Sequence, residues 1–124
     1  MKKTQERYVD GYVLVVPKKS IKAYTKMAKL GAKIWMKHGA LEYKECMGDD
    51  LTHSWATASF KKMTNLKPTE TVWFSFITYR SKAHRDQVNK KVMSDPLMDP
   101  GKNKEMPFDM KRMAFGGFKV VVSA

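Results

Sequence analysis

The chain predicts an α+β fold: a ferredoxin-like split βαβ sandwich of order βαββαβ, with one antiparallel sheet and both helices on one of its faces. Three observations carry that prediction. Alternating apolar strand, amphipathic helix and second strand occur twice, over residues 8–16, 21–38 and 40–47 and again over 72–79, 82–94 and 113–122. The first and third predicted strands are apolar on both parities, so each needs cover on two faces. A length of 124 residues with 43% hydrophobic content suits one domain with a substantial core.

Residues 1–7 are polar and charged and read as a loose arm, leaving 8–124 as a single domain. The first strand ends at Pro17, and Ser20 stands where the first helix needs an N-cap. Along that helix Ile21, Tyr24, Met27 or Ala28, Leu30 or Gly31, Ile34 and Trp35 form a stripe for the sheet, and His38-Gly39 reads as its C-terminal turn. In the second strand Leu41, Tyr43 and Glu45 share one face, and Glu42, Lys44 and Cys46 the other.

Residues 51–70 are less patterned; 54–60 fits a short strand or an excursion over a barrel mouth, and 65–69 a turn. β-branched and aromatic residues make 72–79 the strongest strand. Ser81 caps the second helix, whose face of His84, Val88 and Val92 is less apolar than that of the first. Three prolines and a glycine make 95–111 a long loop, a frequent seat of function. Gly116-Gly117 in the last strand suggests a bulge or a close approach to the backbone.

The formal charge is +12, and its distribution is more telling than its size. Lys18, Lys19, Lys22, Lys26, Lys29, Lys33 and Lys37 lie in a stretch without an acid, whereas the other seventeen basic residues nearly balance twelve acids. Lys22, Lys26, Lys29, Lys33 and Lys37 fall on one helical face, the pattern of a surface for RNA or another polyanion; exposed helix faces are also routinely charged for solubility alone. The single cysteine, Cys46, excludes an internal disulfide and fits a reducing, cytoplasmic setting. Lys2 and Lys3 are followed by acids, and the apolar run 12–16 stops at Pro17, far short of the roughly 20 residues of a membrane span, so no membrane association is expected.

Candidate chemistry rests on side chains near strand ends and in loops. His84 suits an acid or base near neutral pH, with Asp10 and Asp109 as carboxylate partners. Tyr12, Trp73, Arg112 and Asn89 suit the wall of a ligand pocket, Arg112 as a clamp for an acidic group. Each has a structural counterpart: a lone histidine on an apolar stripe is more often a satisfied boundary residue. His38, His53 and His84 show no metal-ligand spacing, no phosphate loop or nucleophile triad is legible, and no cofactor or metal is expected.

Several segments are more specific: Tyr8-Val-Asp-Gly-Tyr-Val, His38-Gly-Ala-Leu-Glu-Tyr43, Tyr79-Arg-Ser-Lys-Ala-His-Arg-Asp86, Val88-Asn-Lys-Lys-Val-Met-Ser-Asp-Pro96, and Met106-Pro-Phe-Asp109 with Lys111-Arg-Met-Ala-Phe-Gly-Gly-Phe-Lys119. Through these the chain resembles the YbaA-like family of bacterial proteins of unknown function, over almost its whole length. The resemblance implies a place in the dimeric α/β-barrel superfamily, in which two ferredoxin-like sheets face each other, and no particular activity. Monooxygenases of that superfamily carry a histidine partway along their second helix. The matching position here is near Val88 and Asn89, and His84 lies a turn earlier, a departure from their pattern.

The expected protein is therefore a homodimer, because apolar parity on both faces of two strands leaves one face for a partner. Its expected role is binding or converting a small molecule in the barrel; the alternatives are polyanion binding by the lysine helix, or a structural role without activity.

Overall fold

The computed structural model describes residues 7–98 and 106–124. All but Arg7 of the expected N-terminal arm, and the middle of the 95–111 loop, lie outside the described residues. The elements run β1 (Tyr8–Pro17), α1 (Ile21–Lys37), β2 (Glu42–Met47), α2 (Phe60–Met63), β3 (Glu70–Tyr79), α3 (Lys82–Met93) and β4 (Ala114–Lys119), with 3-10 turns at Lys18–Ser20, Pro96–Met98 and Met110–Arg112. The strands form an antiparallel sheet in the order β2-β3-β1-β4, the topology of a ferredoxin-like sandwich. The long central pair β1–β3 runs from Tyr8 opposite Tyr79 to Pro17 opposite Glu70.

Strand alternation divides the sheet cleanly. Tyr8, Asp10, Tyr12, Leu14 and Val16 of β1 share a face with Trp73, Ser75, Ile77 and Tyr79 of β3. This face carries the core. Ile77 and Tyr79 pack with Ile34, Val88 and Val92 in one cluster, and Leu14, Val16 and Trp73 with Tyr24 and Ala28 in a second. Helices α1 and α3 therefore lie on one side. On the other side Val15 and Val72 are buried at one end, whereas Phe74 and Phe118 remain 46% and 61% exposed.

The differences from the expected elements are local. β2 starts at Glu42 because the Ala40 N–H is used by the Trp35 carbonyl that closes α1. β4 stops at Lys119 because its one sheet neighbour, β1, begins at Tyr8. Ser81 caps α3 through the His84 N–H as its position suggests, whereas the Ser20 side chain makes no capping bond and a 3-10 turn leads into α1 instead. Within 51–70 no strand forms at 54–60, which removes one of the two readings of that stretch. Ser59 accepts the Lys62 N–H and starts the four-residue α2, and Asn65 then turns the chain at φ 50°. The β1–β4 ladder is unbroken, so Gly116-Gly117 forms no bulge; Gly117 instead leaves room for the Tyr8 hydroxyl lying against it.

Candidate functional site

Between α1 and the sheet lies a cavity of about 330 Å³, a size that suits a small ligand. Its floor comes from Tyr12 of β1, Ser75 of β3 and Glu45 of β2, and its roof from Met27, Gly31 and Trp35 of α1. Met98, Phe108 and Met113, from the chain after α3, close the far side. The lining is apolar and aromatic with one acid, Glu45.

Three hydroxyls hold that carboxylate. Tyr24 donates to Oε1 at 2.8 Å, Tyr43 donates to Oε2 at 2.8 Å, and the Ser75 hydroxyl donates to Oε1. Burial first, and then the Glu45 charge, pushes both tyrosine phenols well above their ordinary range, so they stay neutral donors. Tyr12 is raised as well, by burial and by Asp10. Each donor is set by its element. Tyr24 lies on the buried stripe of α1, Tyr43 shares the inward parity of β2 with Glu45, and Ser75 faces Glu45 across the β2–β3 pair.

Gly31 is required by this arrangement. A Cβ there would lie 2.6 Å from the Tyr43 hydroxyl oxygen, too close without displacing it from Glu45. Gly31→Ala sets a helix-propensity gain of about 1 kcal/mol against a charge-assisted hydrogen bond of about 1.5–3 kcal/mol. The expected result is a net loss of roughly 1 kcal/mol in urea unfolding. A stabilised variant would mean that the hydroxyl is not held there.

Of the side chains expected at a site, only Tyr12 lines this cavity. Trp73 lies beneath it in the core, edge-on to Tyr24 with ring centroids 4.8 Å apart, its indole N–H donated to the Thr71 hydroxyl. Asp10 and Asn89 meet behind the cavity wall, where Asn89 accepts from the Trp35 indole at 3.1 Å and from the Tyr79 hydroxyl at 3.3 Å. Asp10 is fully buried there, and its nearest cation is Arg85, at 3.6 Å. Burial raises the Asp10 pKa, and Arg85 opposes the rise.

His84 stands apart from these groups. Its Nδ1 accepts the Arg80 N–H at 3.0 Å, which closes the turn into α3, and burial lowers its pKa, keeping the ring neutral. Arg112 and Asp109 also lie elsewhere. The Arg112 guanidinium grips Glu70 and Asp109 and donates to the Thr64 and Asn65 carbonyls, a lock between the β4 approach and the β3 approach. The five lysines of α1 are all exposed, and Lys37 is paired with Asp95 at 3.3 Å. Cys46 is an exposed free thiol on the open sheet face, not a core residue.

Sequence reasoning missed Glu45. The available signal was its place on the Tyr43 parity of an edge strand, where an acid pointing toward the core is unusual. Among the described residues no group of three or more potential metal ligands forms, and no helix is long and apolar enough to cross a membrane.

A family model described as a protein of unknown function, DUF1428, matches residues 7–110. The uncharacterized protein YbaA of Escherichia coli strain K12 is 40% identical over 116 residues, covering 94% of this chain and 97% of the relative; YbaA of Shigella flexneri matches equally. The resemblance read from the sequence segments is thereby confirmed. A dimeric ferredoxin-like protein from an uncultured marine organism superposes with a TM-score of 0.57 at 8% identity, over 96% of this chain and 98% of that one, and corroborates the fold.

Proposed function

The chain belongs to the DUF1428 family of proteins of unknown function, so its role has to be argued from its own residues, and we propose that it binds a small molecule in the cavity over Glu45. The single observation that carries this reading is the cavity itself: preformed, largely apolar, with one carboxylate aimed by three hydroxyls. Such a lining with a few convergent polar groups is the usual form of a ligand site. A polar core cluster built only for stability has no need of the empty volume beside it.

Asp10, Asn89 and Arg85 form a supporting layer in this reading, since Asn89 fixes the indole of Trp35 in the cavity wall. His84, Asp109 and Arg112 hold the turns that flank it. The test is a thermal-shift screen of small apolar and aryl-alkyl compounds. Ligands of the folded state raise the midpoint by mass action. Concentration-dependent stabilisation by members of the set is expected; a flat response across it contradicts the reading.

The same reading includes a homodimer. The open face of the sheet exposes Phe74 and Phe118 beside Val9, Val13 and Phe76, a run of apolar side chains that a partner would cover. The structural neighbour of like fold is described as dimeric. An exposed free thiol at Cys46 suits a reducing cytoplasm.

The exposure of Lys22, Lys26, Lys29 and Lys33, none of them salt-bridged among the described residues, favours a second reading as a polyanion-binding surface. Titrating labelled structured RNA in rising salt decides it: a steep salt slope that vanishes when the lysines are neutralised supports it, and no binding at physiological salt ends it.

A further inference from the structure

Among the described residues, Glu45 differs from the other acids held in the fold. Asp10 has Arg85, Asp95 has His38 and Lys37, and Glu70 and Asp109 share Arg112. Among the described residues Glu45 alone is at least half-buried without a cation within salt-bridge distance; Glu42 and Asp49, also unpaired, are exposed to water. Lys44, its neighbour along β2, belongs to the opposite face of the sheet by strand alternation; it also lines the cavity but forms no ion pair with Glu45.

Neutral hydroxyls orient the carboxylate but bring it no positive charge, and among the described residues no cation lies within salt-bridge distance to offset its own, a costly arrangement where water is partly excluded. They also leave it unsaturated. A carboxylate offers about four lone-pair positions. Tyr24 and Ser75 occupy Oε1, and Tyr43 takes one position on Oε2, so among the described residues one position on Oε2 remains for a donor from the cavity. The walls around it include the rings of Tyr12, Trp35 and Phe108, and aromatic rings receive a cation better than aliphatic side chains do.

We propose that the cavity takes an organic cation: an amine or related ammonium group on an apolar, aryl or alkyl body, its N–H donated to Glu45 Oε2 and its body lying against the aromatic walls. The inference rests on the reading of the cavity as a ligand site. It opposes an anionic ligand, because a second carboxylate would face Glu45 and because Arg112, the arginine expected to clamp one, is engaged elsewhere.

Three probes of similar shape test the charge: 2-phenylethylamine, 2-phenylethanol and 3-phenylpropanoate, each titrated at millimolar concentration. The readout is the NMR signal of the indole N–H of Trp35, a cavity-lining residue whose N–H is held by Asn89 behind the wall. The amine is expected to bind at least about tenfold more tightly than the alcohol, as a charge-assisted hydrogen bond allows, and the acid not to bind. In Glu45→Gln the preference of amine over alcohol is expected to collapse to within about twofold, and should that variant fail to fold, the order of the three probes on the unaltered protein decides alone. Equal binding of amine and alcohol, or preference for the acid, overturns the cation while the cavity stands as a binding site. Failure of all three to move the Trp35 signal overturns the cation and the cavity reading together.

Discussion

Arg85→Ala is expected to lose about 3–5 kcal/mol of folding stability at neutral pH, the range for removing one partner of a buried ion pair. Asp10 is fully buried, its carboxylate oxygens make no hydrogen bond, and Arg85 at 3.6 Å supplies the nearest positive charge. The guanidinium also stacks 5.0 Å from the Tyr8 ring and pairs with Asp86 at 3.1 Å, but those contacts reach the surface and contribute less. The loss should depend on pH with a definite sign. Burial already raises the Asp10 pKa above 3.8, and removing the opposing Arg85 raises it further. A raised carboxyl pKa gives stability that is fully present below the unfolded value and lost as pH rises through the folded value. The deficit of Arg85→Ala is therefore largest at neutral pH and shrinks as the solution is acidified toward the ordinary carboxylate range. Asp10→Asn added to Arg85→Ala should return most of the loss and flatten the dependence. Denaturant unfolding at pH 7 and pH 5 checks both; a deficit under 1 kcal/mol, or one that grows in acid, contradicts this role for the pair.

Phe74→Asp is expected to convert a dimer into a monomer without unfolding it. Phe74 is 46% exposed on the face turned away from the helices, so a carboxylate there stays hydrated in the free subunit. In a dimer built on this face it would be buried without a partner, a cost of about 3 kcal/mol or more and thus at least a hundredfold in dissociation constant. Sedimentation of the unaltered protein at micromolar concentration should give dimer mass and the variant monomer mass, with the denaturation midpoint of the variant monomer close to that expected of an intact fold. A monomer from the unaltered protein would remove the dimer outright.

The architecture was legible because strand parity is binary. Each side chain along residues 8–16 and 72–79 points to one face or the other, and apolar residues on both parities mark central strands without any tertiary information. The stripe of α1 was equally plain, since Tyr24, Ala28 and Ile34 recur at helical spacing and all are buried. What escaped was assembled from parts distant in sequence. The donors to Glu45 come from α1, β2 and β3, at separations of 21, 2 and 30 residues, and no local pattern records their meeting. His84 and Arg112 drew attention because their side chains can do chemistry, yet one closes a backbone turn and the other locks two loops. Asp10 drew attention as a carboxylate partner for His84; it is instead buried beside Arg85, outside the cavity lining. The four-residue α2 is too short for any periodicity to show, and its start depends on the cap made by Ser59.

The ten methionines give the most direct reading of where a ligand sits. Met27, Met98, Met106 and Met113 line the cavity over Glu45, whereas Met36, Met47, Met63 and Met93 lie on other surfaces of the fold. With methyl-labelled methionine, adding a compound that stabilises the protein should shift the first four signals and leave the second four in place. Shifts confined to Met47 and Met63, or spread evenly over all eight, would mean that the cavity between α1 and the sheet is not the ligand site.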